Sequence, residues 1–227
     1  MVKRFLRRNL RFSPYKAGFA FISPGGGLSC ALIPHPTLLK NEIVSLHPLS
    51  PEHFSGLLNQ AQEQEIWRYF RTGSLADPQC LQAWIDQALL ARQSGRDYAF
   101  VILDQASGRI AGSTRFREID AANRSLEIGG TWLGKDFRGT AMNRNAKFLL
   151  LQFAFESLGV IRVQFRTDLR NVRSQSAIIK IGALREGVFR KDFIYDDGYQ
   201  RSTVFYSITD EDWPRVREFF VSGLQSR

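Results

Sequence analysis

The stretch Leu126–Ser157 constrains the fold more than any other part of this chain. Its first part, Leu126–Leu133, has the character of a buried strand and ends in the short polar loop Gly134–Ala141. A helix is predicted from about Asn143 to Ser157, because apolar residues recur along it at i, i+3, i+4 and i+7. The segment therefore consists of a strand, a small-residue loop and a helix N-terminus. The apolar stripe is formed by Ala146, Leu149, Leu150, Phe153 and Ala154.

A strand, a small-residue loop and a helix N-terminus in succession form a geometry that binds phosphate. The N–H groups of the first helical turn have no intrahelical partner, and the helix dipole places partial positive charge there. Gly139, Thr140 and Ala141 are small enough to let an anion approach the backbone, and Arg138 adds a full positive charge. The loop therefore predicts a pyrophosphate cradle. The alternative is a helix end that carries Arg and Thr without any ligand.

Around this segment, short strands and helices alternate within one domain that is expected to span residues 41–227. Runs rich in β-branched and aromatic residues, bounded by turn residues, predict seven strands. Gly129 and Gly130 interrupt one of them, and paired glycines indicate a β-bulge or a close backbone approach. Asp77 before Pro78 is typical of a helix start. The strands are expected at Ile43–Leu49, Tyr98–Leu103, Arg109–Ile119, Ser125–Leu133, Ile161–Thr167, Leu184–Tyr195 and Gln200–Ile208, and the other helices from Pro51 and at Gln64–Phe70, Pro78–Gln93, Asn171–Ile181 and Asp210–Leu224.

The net charge of +9 is unevenly distributed along the 227 residues. Residues 1–40 combine a basic start with many Pro and Gly residues, show no persistent period, and are expected to form a poorly ordered extension. Three interpretations remain open: an arm that contacts nucleic acid or a membrane surface, a transit-type presequence, or an extension without a role in the fold. The basic residues of the first sixteen positions are Lys3, Arg4, Arg7, Arg8, Arg11 and Lys16.

The cysteine content and the apolar runs limit the remaining classes. Cys30 and Cys80 lie far apart, so they suggest neither a metal site nor a disulfide framework, and a reducing cytoplasm is the simpler expectation. A membrane-spanning helix is not expected, because no run of about 18 apolar residues occurs. Whether the protein is a monomer or a homodimer stays open.

The loop also carries a recognisable motif. In the GNAT acyltransferase superfamily the long helix starts with Gln/Arg-x-x-Gly-x-Gly/Ala, which appears here as Arg138-Gly139-Thr140-Ala141-Met142-Asn143. The first position matches, whereas Ala141 and Asn143 depart from the pattern. With the flanking words LEIGGTWLG, NRNAKFLLLQFAFESLG, IRVQFRTDLRN, NVRSQSAIIKIGA and DEDWP, the chain resembles this superfamily, in particular its ribosomal-protein N-acetyltransferase-like branch, over about Pro36–Phe219.

The resemblance implies an α/β (α+β) fold whose mixed, mostly antiparallel central sheet of about seven strands is flanked by helices. It also implies acetyl-CoA as co-substrate, with its pyrophosphate on the amides from Arg138 to Asn143, and no metal. Ala141 would cost about 1 kcal/mol if its position required a positive φ. The expected cofactor-binding residues are Leu133, Arg138, Gly139, Thr140, Ala141, Met142, Asn143, Asn171 and Ser174.

Acetyl transfer to an amine requires the amine to be neutral. Neutralising an α-amine at pH 7 costs about 1 kcal/mol, whereas a lysine amine costs about 4–5 kcal/mol. Glu127, two residues before the paired glycines, is the best candidate for a general base that acts through a water. Amides at the bulge, including those of Gly130 or Thr131, could donate to the thioester carbonyl. The alternative for Glu127 is a solvated strand carboxylate or an ion pair with Arg115 or Arg117.

The general acid is less well defined by the sequence. Many family members carry a tyrosine on the helix after the fifth strand, but Asn171–Ile181 contains none. The resembling branch has Asn-x-x-Ser there, which is Asn171 and Ser174 in this chain. Asn171 would bond the pantetheine or cap the helix, and Ser174 would protonate the leaving sulfur or contact the cofactor, although both are ordinary cap residues. Tyr206 is a possible substitute, for which core packing is the alternative.

Two functions follow from these features. The first is an acetyl-CoA-dependent N-acetyltransferase acting by direct attack of an amine, either a protein N-terminal α-amine or a small-molecule amine. Its acceptor groove is expected between the early helices and the last hairpin. The second is a non-catalytic acyl-CoA-binding or nucleic-acid-associated module that keeps the cradle, lacks the base and uses the basic arm. Charged residues near the last hairpin could recognise a charged acceptor electrostatically; they are Arg190, Lys191, Asp192, Asp196 and Asp197.

Overall fold

A computed structural model describes residues 32–224, in which eight strands form one sheet. The strand order is β1-β2-β3-β4-β5-β6-β8-β7, with β5 and β6 parallel and every other neighbouring pair antiparallel. This confirms the expected fold class. The strands are β1 (Leu39–Lys40), β2 (Val44–Pro48), β3 (Tyr98–Asp104), β4 (Ile110–Asp120), β5 (Ser125–Leu133), β6 (Arg162–Asp168), β7 (Leu184–Ile194) and β8 (Gln200–Thr209).

The α-helices are α1 (Phe54–Gln60), α2 (Pro78–Gln93), α3 (Met142–Gln152), α4 (Val172–Lys180) and α5 (Trp213–Leu224). Short 3-10 segments lie at Pro51–His53, Gln64–Tyr69 and Lys135–Phe137, and a π-helical turn, Phe153–Ser157, continues α3. Alternation along β3 divides the core, because successive side chains point to opposite faces. Phe100 belongs to the part packed by α3 and α5, and Val101 to the part packed by α1 and α2.

Most element boundaries agree with the pattern in the sequence. All seven predicted strands form, and Asp77 caps α2 by accepting hydrogen bonds from the backbone N–H groups of Gln79 and Cys80. The last helix begins at Trp213, three residues later than expected from Asp210. The additional strand is β1, whose two residues are too few to show an alternating pattern.

The segment before β1 is part of the fold. Ile33 is buried in the core, and the Tyr98 hydroxyl lies 2.8 Å from His35 Nδ1 and accepts a hydrogen bond from the Thr37 backbone N–H at 3.0 Å. Packed residues therefore also occur before residue 41, the expected start of the domain. The expectations for residues 1–31, including the basic arm, lie outside the described residues.

Two irregularities in β5 open the sheet at its centre. Opposite Thr114 of β4, strand β5 has both Gly130 and Thr131, and Gly130 has a left-handed φ of 56°. The predicted bulge is therefore confirmed, since this φ is readily adopted by glycine. The parallel pairing of β5 with β6 ends at Glu127 opposite Gln164. Beyond this pair, no strand in the described residues pairs with the β6-facing edge of β5.

Candidate active site

The loop after β5 turns sharply into α3 and leaves space beside its backbone. Gly139 has a φ of 77°, and a Cβ added there would meet no atom within 4 Å. Thr140 Oγ1 donates to the Phe137 carbonyl oxygen at 2.7 Å and accepts from the Met142 N–H at 3.3 Å. The loop therefore has the small, folded backbone and the helix N-terminus that an anion site requires.

Ala141 does not carry the strain that the motif comparison suggested. It stands at the N-cap of α3 with φ −69° and ψ −9°, which is ordinary right-handed backbone. The residue that uses a positive φ is Gly139. The substitution of Gly by Ala at the fourth motif position is therefore compatible with the loop, and the expected cost of about 1 kcal/mol does not arise.

Arg138 lies at the loop but its charge is already compensated. Its guanidinium forms an ion pair with Glu63, while Lys135 Nζ lies 3.9 Å from the same carboxylate. Glu63 immediately precedes the 3-10 segment Gln64–Tyr69, so the early part of the chain reaches the cradle. A bound anion would compete with Glu63 for Arg138. No local pattern indicated this pairing, because the two residues lie far apart along the chain.

Glu127 is buried beside the point where β5 and β6 separate. Its side chain is only 2% exposed, with Arg166 Nε 2.6 Å from Oε2 and Arg117 Nη1 3.8 Å from Oε1. Burial raises the pKa of Glu127 above its usual value, while Arg166 and Arg117 act in the opposite direction. The ion pair foreseen with Arg117 is present. Arg115 instead pairs with Asp97 at 3.3 Å.

Gly129 allows the Glu127 carboxylate to lie over its own strand. A Cβ at position 129 would overlap Glu127 Oε1 and would lie 3.3 Å from Arg117 Cδ. The first glycine of the pair therefore makes room for the carboxylate, and the second, Gly130, forms the bulge. Together they place a buried acid beside the open edge of β5.

The candidate acid residues occupy structural positions. Asn171 Oδ1 accepts a hydrogen bond from the Ser174 backbone N–H at 3.0 Å and so caps α4, as one of the alternatives foresaw. Tyr206 is fully buried, and its hydroxyl donates to Gln175 Oε1 at 3.0 Å. The structure therefore shows a cap and a packed tyrosine, and a proton-donor role for Ser174 stays a prediction.

Two charged residues of this region were not predicted from the sequence. Arg166 on β6 forms ion pairs with Glu118 on β4 and with Glu127 on β5. These contacts depend on the parallel pairing of β5 with β6, which are distant in the sequence. Lys147 of α3 is buried, and its Nζ donates to Thr131 Oγ1 at 2.6 Å. The position of Lys147 within the apolar run NAKFLLL could have indicated from the sequence that this lysine is buried.

The described residues limit two further possibilities. Within residues 32–224, no group of three or more His, Cys, Asp or Glu side chains is arranged to hold a metal ion. Over the same range, every helix is too short or too polar to cross a membrane.

The open edge of β5, the bulge beside it and the cradle at its end define a GNAT-type acyltransferase fold. The chain belongs to this family, because a family model described as "Acetyltransferase (GNAT) domain" matches residues 44–184. A curated relative is the "Putative ribosomal N-acetyltransferase YdaF" of Bacillus subtilis (strain 168), 33% identical over 106 residues. That match covers 47% of this chain and 57% of the relative, so the chain matches little more than half the relative's length.

Solved structures extend the similarity over most of the chain. A "putative acetyltransferase" from T. thermophilus is 34% identical, with a TM-score of 0.76, covering 85% of this chain and 99% of that one. A spermidine N-acetyltransferase from Vibrio cholerae, solved with CoA and spermine, has a TM-score of 0.65 over 77% of this chain and 99% of its own. At 17% identity, the latter likeness concerns the fold alone.

Proposed function

We propose that the protein transfers an acetyl group from acetyl-CoA to an amine by direct attack of the amine on the thioester. The observation that carries this proposal is the open edge of β5, which runs from the buried Glu127 to the cradle at Gly139. An extended arm with a diphosphate at one end and a thioester at the other fits such an edge. The cradle would hold the diphosphate on the backbone from Arg138 to Asn143, and Leu133 would lie beside the arm.

Glu127 would remove the proton from the attacking amine. A carboxylate whose pKa is raised by burial is a better base than an exposed one, and Arg166 and Arg117 oppose its neutralisation. A base of this strength suits an α-amine, which costs about 1 kcal/mol to neutralise at pH 7, better than a lysine. Backbone amides at the Gly130–Thr131 bulge would polarise the thioester carbonyl. Ser174 would protonate the departing thiolate. Alternatively, the thiolate would leave without a general acid, because a thiol pKa of about 8.5 makes it a good leaving group.

The acceptor would approach on the face that carries Glu127. On this face α1 and α2 cover the first half of the sheet. At the border of the covered half, the Tyr195 hydroxyl of the last hairpin donates to the Tyr69 carbonyl oxygen at 3.1 Å. The Arg71 guanidinium carbon lies 3.8 Å from the ring centroid of Phe193. The segment after α1 and the hairpin therefore meet there, and in this proposal they form the wall of the acceptor groove beside Glu127. A protein N-terminus is the acceptor that we propose, in keeping with the ribosomal N-acetyltransferase relative.

An amine panel tests the reaction directly. With acetyl-CoA, thiol release is expected to be faster with peptides that carry a free N-terminal α-amine than with the same peptides acetylated at the N-terminus, and slow with lysine side-chain amines. Release measured by a thiol reagent, with the acetylated product confirmed by mass spectrometry, checks this. Binding of acetyl-CoA without any thiol release across the panel would favour the non-catalytic acyl-CoA-binding module instead.

Gly139→Ala is expected to weaken acetyl-CoA binding more than it weakens the fold. In the ligand-free protein the added Cβ meets nothing, so the cost is the left-handed backbone alone, about 1 kcal/mol. In the complex the same methyl group would occupy the approach to the diphosphate. We expect the Kd from isothermal titration calorimetry to rise at least tenfold.

Gly95→Ala is the matched control for this prediction. Gly95 has a similar φ of 69°, also with nothing within 4 Å of an added Cβ, but it lies after α2 and away from the cradle. It should cost the same stability and leave the Kd unchanged. Equal affinities for the two variants would contradict a diphosphate site at Gly139.

A further inference from the structure

The separation between β5 and β6 is bridged on the α3 side by a single charged side chain. Lys147 Nζ donates to Thr131 Oγ1 of β5 at 2.6 Å and lies 5.7 Å from the ring centroid of Phe165 on β6. Both positions lie beyond the last paired residues of the two strands. The lysine head therefore sits under the gap along which an acyl-CoA arm would run.

Lys147 is poorly compensated for a buried ammonium group. The residue is 7% exposed, and no carboxylate of the described residues lies within ion-pair distance of its Nζ. An ammonium group has three N–H donors, and the described residues accept one of them. Burying a charge without a partner is costly, so a structural role alone explains this lysine badly.

The surroundings of Lys147 also set its protonation. Burial lowers its pKa to about 7, and the charge of Glu127 on β5 acts in the opposite direction. Its hydrogen-bond and ring neighbours on the sheet are uncharged. Lys147 contacts Thr131 on β5 and Phe165 on β6, and the Thr131 hydroxyl is in turn hydrogen-bonded to Thr114 on β4. Near neutral pH the amine is therefore divided between its charged and neutral forms.

We propose that Lys147 is a positioning residue for the acyl-pantetheine arm, donating its unused N–H groups to a carbonyl oxygen of that arm and taking up a proton when the arm binds. This inference rests on the proposed function, because it requires acyl-CoA in the gap. The arm contains a thioester carbonyl and two amide carbonyls, and each needs a donor once it leaves water. A charged donor makes the stronger hydrogen bond, so binding favours the ammonium form.

The direction of the pH effect follows from this preference. At pH 6, about one unit below its pKa, Lys147 is mostly charged already, so binding moves little proton at this residue. At pH 8 it is about nine-tenths neutral in the free protein, so binding takes up close to one proton. The contribution of Lys147 to acetyl-CoA affinity is therefore expected to fall about tenfold between pH 6 and pH 8.

Calorimetry with acetyl-CoA in two buffers of different ionisation enthalpy measures this proton uptake directly. We expect the wild-type protein to take up more protons per acetyl-CoA at pH 8 than at pH 6, and Lys147→Met to lose this difference. The loss of affinity in Lys147→Met should be about tenfold larger at pH 6 than at pH 8. Because 3′,5′-ADP lacks the arm, it should show no difference between the two proteins.

Lys180→Met is the control for a lost positive charge, since Lys180 is an exposed lysine at the C-terminal end of α4 and not on the cradle loop. It should leave the proton uptake at its wild-type value. No uptake at pH 8 in the wild-type protein, or an equal loss in Lys147→Met at both pH values, would overturn the inference while leaving acetyl-CoA binding intact. Absence of any acetyl-CoA binding to the wild-type protein would instead remove the proposed function and this inference together.

Discussion

Glu127→Gln is expected to lower kcat/KM at least tenfold, while the Kd for acetyl-CoA stays within about twofold of wild type. General bases typically contribute two to four orders of magnitude, and the amide keeps the size of the carboxylate but accepts no proton. A tenfold loss corresponds to about 1.4 kcal/mol of transition-state stabilisation. Steady-state kinetics with a peptide α-amine, together with calorimetry, separates the two quantities.

The pH profile gives this prediction a second readout. A base must be ionised to act, so the wild-type rate should rise with pH through the Glu127 pKa, which burial raises above its ordinary value. In Glu127→Gln this limb should disappear, leaving the limb that belongs to the acceptor amine.

Glu118→Gln provides the matched control for Glu127→Gln. Glu118 also pairs with Arg166, but its side chain is 50% exposed. If removing an ion pair with Arg166 explained the loss, both variants would lose activity alike. We expect Glu118→Gln to retain activity within about twofold, and equal losses would contradict a base at position 127.

Gly112→Ala is expected to destabilise the protein more than Gly139→Ala or Gly95→Ala. A Cβ at this position would lie 2.1 Å from the Trp132 carbonyl oxygen and 2.9 Å from Leu133 Cα, and the φ of 155° is one that side chains rarely adopt. Both neighbouring atoms are backbone atoms of β5, at the end of the β4–β5 pair where Gly112 lies opposite Leu133, so neither can move aside cheaply. We expect the free energy of unfolding to fall by at least about 3 kcal/mol.

Thermal unfolding followed by circular dichroism measures this loss, which corresponds to a fall in Tm of about 10 °C in a protein of this size. Gly187→Ala is the control, because an added Cβ on β7 meets nothing within 4 Å. Its stability should stay within about 0.5 kcal/mol of wild type. A Tm for Gly112→Ala close to that of Gly187→Ala would show that the two central strands can separate without cost.

The parts of the fold that local chemistry determines were predictable from the sequence. The bulge at Gly130 and the cap at Asp77 were expected, because each depends on the residue types in a few adjacent positions. Strand β1 was not expected, since Leu39–Lys40 joins the sheet only through pairing with β2.

The candidate site was predictable only in part, for a related reason. Glu127 beside the bulge was named as a candidate from its own strand, and Arg117 was one of two arginines expected as an alternative ion-pair partner. Arg166 reaches Glu127 across a parallel pair, and Glu63 reaches Arg138 from before α2. Such contacts depend on how distant segments come together, which residue periodicity does not specify.

The anchoring of the first described residues by Tyr98 has a practical consequence for anyone who trims the chain. Starting expression at residue 41 would remove both His35 and Thr37 from the Tyr98 hydroxyl, and it would leave the space of Ile33 unfilled. The truncation would expose the Tyr98 side chain and the core beneath Ile33 to water, and burial of one large apolar side chain contributes about 1.5–3 kcal/mol. Shortened versions intended for crystallisation should therefore begin no later than residue 32.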